Sequence, residues 1–226
     1  MYCPACPSDN LHPTPKGERV IDFTCPNCDE PYQLKSQSHP FGDRVMNSAY
    51  APKIEAIRTG TIPNFLFLQY DLKALVVSNL FMVPKHFMSQ SIVERRNPLG
   101  EHARRRGWVG SNILLGNLPA DARIQIVEDG YEIPKATVRD SWNRFLFLRE
   151  QSVYSRGWLA DVLACVRQLD RVTFTLADVY TFERQLAEFH PRNKNIRPKI
   201  RQQLQVLRDY GIVKFLGKGV YRIRKL

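Results

Sequence analysis

A chain of 226 residues, 43% of them hydrophobic, is long enough to bury one large core or two small ones. The sequence has no apolar run of about eighteen residues, and its start, "MYCPACPSDN", lacks a basic-then-apolar leader; a membrane-spanning helix and a secretory signal are excluded, and a soluble, cytoplasmic protein is expected. The net charge of +11 is concentrated, with 18 Lys and Arg against 16 Asp and Glu in residues 1–150 and 15 against 6 in residues 151–226.

From His190 onward, 11 basic residues accompany a single acid, Asp209. So local an excess favours a polyanion, nucleic acid above all, because neutralised phosphates release condensed counterions. Acidic protein and anionic lipid are the other partners that such a face can take.

In chain order, the first signal is Cys3-x2-Cys6, then eighteen residues, then Cys25-x2-Cys28. Each C-x2-C turn presents two thiolates to one ion, so the pair of turns closes a tetrahedral, structural zinc site with no open position. Two disulfides are the alternative, one disfavoured in a reducing compartment. The fifth cysteine, Cys165, lies on an apolar helical stripe and reads as core.

The residues around the second turn alternate as strands. In "VIDFT", Val20, Asp22 and Thr24 share a face; in "YQLK", Gln33 and Lys35 do. If Cys25 to Cys28 forms the tip of the connection, Asp22, Gln33 and Lys35 come together on one polar surface. A carboxylate, a second oxygen donor and an ammonium two residues beyond it suit metal-dependent phosphodiester cleavage: the oxygens hold a hard divalent ion, and the lysine stabilises developing negative charge. The plain alternative is three surface residues on a zinc-ribbon hairpin.

Further along, "GDRVMNSAYAPKIEAIRTG" predicts a helix from about Arg44 to Arg58. "NFLFLQY" and "ALVVSNLFMVP", split at Asp71-Leu72-Lys73, predict paired strands buried on both faces. "ARIQIV", ended by Glu128-Asp129-Gly130, predicts another strand, and "RFLFLR" a further one, closing a mixed α/β unit near Glu150.

From Ser155 the period becomes helical. Leu159, Val162, Leu163 and Val166 form one stripe; "TLADVYTFERQLAEF" is a second helix capped by Thr175 with Asp178; a third opens near Asn195 and ends between Asp209 and Gly211. Two short strands then flank Gly217-Lys218-Gly219. Three helices and a hairpin outline a winged helix. On the third helix, Ile196, Ile200, Leu204 and Leu207 mark an inner side, leaving Arg201, Gln202, Gln205 and Arg208 to face a major groove, while Lys199, Lys218 and Arg222 can hold phosphates.

Taken together, "CPAC", "VIDFTCPNCDEPYQLKS", "NFLFLQY", "FMVPKHF", "ARRRGWVGSN" and "KIRQQLQVLRDYGIVKFLGKGVYR" resemble the DpnI-like family of methyl-directed restriction endonucleases along nearly the whole chain. The resemblance implies a PD-(D/E)xK nuclease core with a mixed sheet and a four-cysteine zinc-binding hairpin over residues 1–150, followed by a winged-helix DNA-binding domain over residues 151–226. It implies a type II enzyme that hydrolyses double-stranded DNA at GATC sites carrying N6-methyladenine; the sequence shows no coiled-coil seam or long exposed apolar helix, so a monomer is expected. Asp22, Gln33 and Lys35 then match the catalytic positions, with Mg²⁺, or Mn²⁺, on Asp22, Gln33 and the Leu34 backbone carbonyl, and Zn²⁺ on Cys3, Cys6, Cys25 and Cys28. Trp108 matches an aromatic placed to contact the adenine methyl groups, beside Arg104, Arg105 and Arg106 on phosphates.

The chain departs from that pattern twice: Gln33 stands where the family has Glu, and only two residues precede Cys3 where the family has a longer segment. The first departure keeps alive a reader of methylated DNA that does not cut. A zinc-ribbon winged-helix transcriptional regulator is the remaining alternative.

Overall fold

The computed structural model describes residues 1–15 and 20–224. Its largest sheet has seven strands. β1 (His12–Pro13), β2 (Phe23–Thr24) and β3 (Pro31–Gln37) form one antiparallel edge. The chain then makes β4 (Arg44–Ala49) and α1 (Tyr50–Thr59) before returning as β5 (Asn64–Asp71), which lies parallel to β3. A parallel return needs such a crossover, and α1 supplies most of it. Gly60, with φ of +76°, ends α1 in the left-handed conformation that a helix C-terminus favours.

β5 and β6 (Val76–Val83) are the expected antiparallel pair. They are well covered only towards Asn64 and Val83; the hairpin end is open, with Leu72, Leu75 and Val76 exposed. Burial on both faces therefore holds for half of each strand. A second sheet, order β4-β8-β7, contains β7 (Val93–Pro98) and β8 (Val109–Leu114), neither of which the sequence pattern brought out. β9 (Ile124–Glu128), as expected, and β10 (Tyr131–Glu132) complete the large sheet, followed by α2 (Lys135–Asn143).

Two expected elements of this N-terminal part differ. Arg44 to Ala49 is strand, not the first half of a helix: Val45 and Asn47 are buried alternately and pair with β8, a period of two that the helical reading passed over. "RFLFLR" is no strand but a 3₁₀ turn, Leu146–Glu150. Its aromatics are inserted in two directions, Phe145 edge-on to Phe87 and Phe147 stacked 3.9 Å from Tyr210, so the segment bridges packing layers instead of pairing in a sheet.

The C-terminal part has α3 (Val153–Gln168), β11 (Thr173–Thr175), α4 (Leu176–Tyr180), α5 (Glu183–Phe189), α6 (Ile196–Asp209), β12 (Val213–Gly217) and β13 (Val220–Ile223), with the wing sheet in the order β11-β13-β12. Thr175 and Asp178 form the expected reciprocal cap. The helix beyond it is split, because the Thr181 hydroxyl takes the Asp178 carbonyl at 2.6 Å and Phe182 leaves helical geometry. α3 is buried all round from Gly157 to Val166, a central helix and not a surface one with a single stripe. Cys165 is buried within it, its thiol pushed up to about 12 by burial and then by Asp161. Lys225 and Leu226, at the end of the expected hairpin segment, lie outside the described residues.

One core runs through both parts, from Phe65, Phe67 and Phe87 to Trp158, Leu204 and Ile223. Two polar links cross it. Asp161 accepts from Ser91 at 2.6 Å and meets His190 Nε2 at 2.8 Å. Arg167 grips Asp121 with two 2.6 Å bonds and donates to the Arg224 carbonyl. The Asp121 side chain is 0% exposed, so Arg167→Met, which strands that carboxylate, is expected to cost about 3 kcal/mol in urea unfolding. Adding Asp121→Leu should restore most of the loss.

Candidate active site

The four cysteines converge. Their sulfurs all lie within 4.8 Å of one another, with Cys6 to Cys25 at 3.5 Å and Cys3 to Cys28 at 3.8 Å. A tetrahedron with Zn–S bonds of about 2.3 Å has edges of about 3.8 Å, so the donor set fits zinc. The two turns are built alike: the amide of Ala5 donates to Cys3 Sγ and that of Asn27 to Cys25 Sγ, each at 3.4 Å. Such donors favour thiolates. Tyr32 Oη adds a 3.2 Å contact to Cys3 Sγ, tying the cluster to β3.

That tie sets the register beyond it. Phe23 pairs with Tyr32, and the Asp22 amide donates to the Tyr32 carbonyl at 2.8 Å, which puts Asp22 opposite Gln33. Phe23 and Tyr32 pack into the core beneath the cysteines; Asp22 and Gln33 therefore take the other face, and Lys35 follows two residues on. β2 stops at once, so β3 has an open edge here among the described residues. Asp22 fills the opening by accepting the Leu34 amide at 2.7 Å. Strand alternation turns the Leu34 carbonyl to the same edge.

The members of the trio differ in environment. Asp22 is exposed, Lys35 half-buried and Gln33 8% exposed. Burial pulls the Lys35 ammonium down, and Asp22 opposes it by raising it. Gln33 Oε1 is buried without a hydrogen-bond partner among the described residues, an orphaned acceptor beside a carboxylate. An oxygen left in that state fits a hard cation better than it fits a closed protein interior.

A further group, missed in the sequence, lies behind this strand: Lys53 of α1, 2% exposed, with its ammonium over the Phe65 ring at 4.7 Å. Its signal was a lysine four residues before Ile57, the inward spacing of a helix, hidden once the helix was begun too early.

Trp108 ends the loop between β7 and β8 that carries Arg104, Arg105 and Arg106, all exposed and without an acidic partner among the described residues. Leu99, Ala103, Arg104 and Arg105 line an open cleft of about 650 Å³. The indole is half-buried, covered on one side by Gly110, where a Cβ would lie 2.8 Å from it; the Arg105 guanidinium stands 4.9 Å from the ring.

On α6, Ile196, Ile200, Leu204 and Leu207 are buried with Gln203, and Arg201, Gln202, Gln205 and Arg208 are exposed, as the periodicity required. Arg201 and Gln205 make no side-chain hydrogen bond among the described residues, whereas Arg208 turns to Asp209 and Lys199 to Gln202, both at 2.8 Å. In the wing, Lys214 lies directly across from Arg222, and Lys218 sits in the exposed turn with φ of +48°. Like charges placed opposite each other repel unless an anion lies over them.

A mixed α/β unit with a curled mixed sheet and a four-thiolate cluster, carrying a basic helix-turn-helix unit, is the class that these features define. Residues 1–151 match the family described as the Dam-replacing family, and residues 154–223 match the Dam-replacing HTH domain. The chain belongs to the Dam-replacing family. Membership supports a methyl-directed restriction endonuclease with a DNA-binding C-terminal unit. Among the described residues, no helix is long and apolar enough to cross a membrane.

The thiolate cluster generates a direct test. One zinc per chain is expected in a metal-release assay. Cys25→Ser should abolish that stoichiometry and lower the thermal midpoint by about 10 °C, since the ion's binding energy is folding energy here.

Proposed function

We propose that this protein is a metal-dependent type II endonuclease of the cytoplasm, acting as a monomer on double-stranded DNA at GATC sites that carry N6-methyladenine. Residues 1–150 would cut, on a PD-(D/E)xK core, and residues 151–226 would help to read. The observation that carries the reading is the register Phe23 to Tyr32, which brings Asp22, Gln33 and Lys35 to one face at an open strand edge.

Asp22, the Gln33 amide oxygen and the Leu34 carbonyl would hold a hard divalent ion, Mg²⁺ or Mn²⁺, whose charge stabilises the negative charge that develops on the phosphoryl oxygens. The Leu34 amide keeps the Asp22 carboxylate turned to the edge. The Lys35 ammonium orients water for in-line attack and meets a non-bridging oxygen. Water oxygen bonds to phosphorus as the bond to O3′ breaks, leaving a 5′-phosphate and a 3′-hydroxyl. Cys3, Cys6, Cys25 and Cys28 would hold Zn²⁺ as structure alone, since four protein ligands leave no position open.

Recognition would be divided. Trp108 offers an apolar face to the methyl groups, with Arg104, Arg105 and Arg106 on phosphates. Arg201, Gln202, Gln205 and Arg208 face the major groove, and Lys199, Lys218 and Arg222 flank it on the backbone.

A second reading is favoured by the neutral Gln33: a reader of methylated DNA whose site no longer cuts. Methylated and unmethylated GATC plasmids incubated with Mg²⁺ or Mn²⁺ separate the two. Cutting of methylated plasmid alone, lost by at least about 100-fold in Asp22→Ala, is expected. Methyl-dependent gel shifts without cutting under either ion would favour the reader, and equal cutting of both plasmids would remove the methyl claim.

Gly110→Ala tests the tryptophan separately. Its Cβ must displace the indole, so preference for methylated over unmethylated duplex should fall about fivefold, the worth of one buried methyl, with the thermal midpoint nearly unchanged. Competition gel shifts in Ca²⁺ read that ratio.

A further inference from the structure

Lys53 is the one lysine among the described residues whose ammonium is sealed from solvent without any hydrogen-bond partner. It projects from α1 onto the ring of Phe65 at 4.7 Å. Phe65 is the parallel neighbour of Gln33, and Phe67 that of Lys35, so the ring beneath Lys53 lies on the same sheet face as the proposed trio. Two orphaned polar atoms, Gln33 Oε1 and Lys53 Nζ, thus flank one phenylalanine.

Glu55, the acid nearest in sequence, is paired to Arg58 on the exposed side of the helix. Burial pulls the Lys53 ammonium down to about 8, and the charge on Lys35 adds to the effect. A methionine would fill the same space without stranding a charge. Burying an unpaired cation costs stability, and proteins keep such groups where a site uses them.

We propose that Lys53 is a positioning residue of the nuclease centre: a buried positive charge in the floor of the site, behind Gln33 and Lys35, that favours the transition state over the resting state. The inference rests on the nuclease reading of Asp22, Gln33 and Lys35. With Gln33 neutral, Asp22 brings the trio's one negative charge. A buried cation nearby then opposes a divalent ion in the resting site and gains when the phosphoryl oxygens become more negative. Lys53 needs no contact with DNA to act this way, because its field reaches across the low-dielectric sheet face.

The two effects have opposite signs, which a purely structural lysine would not produce. In the full chain, Lys53→Met should bind Mn²⁺ about tenfold more tightly, read from the electron-spin resonance of the free ion. At saturating Mn²⁺ the same variant should cut methylated GATC duplex about 100-fold more slowly in single turnover. Its thermal midpoint without added Mn²⁺ should be equal or higher. Lys53→Arg keeps the charge and should hold both quantities within about threefold of wild type.

Unchanged Mn²⁺ affinity and cutting rate in Lys53→Met, with wild type active, would overturn the inference and leave the nuclease reading standing. Should Lys53→Met fail to fold, Lys53→Gln carries the same comparison. A wild-type chain that neither cuts methylated duplex nor binds Mn²⁺ through Asp22 would overturn both readings, and the wild-type measurements alone distinguish that case.

Discussion

The structure depends on how little backbone pairing holds its most consequential strand. β2 is two residues long, β1 likewise, and every ladder they make, β1 to β2 and β2 to β3, is two residues long. Ladders so short do not define a register in water, where an isolated two-stranded hairpin is at best marginal. The four sulfurs do. They clamp the N-terminal turn to the β2–β3 connection, and Tyr32 passes the constraint into the sheet through its contact with Cys3. A slip of one residue would turn Asp22 into the apolar layer and bring Phe23 to the edge. The zinc-type cluster is therefore remote from the proposed chemistry in function but adjacent to it in cause.

The large sheet then separates two environments. One face carries Tyr32, Leu66 and Met82 under the cysteines and α2; the other carries Phe65 and Phe67 against α1 and the central helix α3. Gln33 and Lys35 share the second face. Their surroundings are thus set partly by the same core that seats the C-terminal unit. The Ser91–Asp161 hydrogen bond at 2.6 Å and the buried Arg167–Asp121 pair fix that unit against the N-terminal one. Whatever α6 contacts, it does so in a fixed orientation to the open edge of β3.

Much of this was legible in the sequence, and for identifiable reasons. The cysteine spacing has few physical solutions. The alternation in "VIDFT" and "YQLK" assigns faces by itself once a turn is granted. The α6 stripe is amphipathic enough that its exposed side could be named residue by residue. What failed was of another kind. Arg44 to Ala49 alternates over too few residues to outweigh the helical stretch that follows, and its partner β8 lies more than sixty residues away. Thr181 divides a helix through a bond that its own position makes available. Lys53 was hidden because a lysine reads as solvated, and only the packing of α1 on Phe65 shows this one to be sealed.

Charge and methyl recognition set the final constraint. One buried methyl contributes about 1 kcal/mol, roughly a fivefold preference, and two add to about twenty-five-fold at best. The unpaired cations of the Arg104–Arg106 loop, α6 and the wing would contribute far more affinity, but to any phosphate backbone, methylated or not. On the proposed function, any discrimination beyond that ratio would have to be amplified at the cutting step. A site with one carboxylate, a neutral amide and a buried opposing cation is suited to that, because it gains little from loose encounters and depends on the phosphate being held in place. In this reading, weak resting affinity for the divalent ion is a source of selectivity, and the packing of α6 on α3, which Asp161 and Arg167 tie to the N-terminal unit, is what would convert correct reading into correct placement.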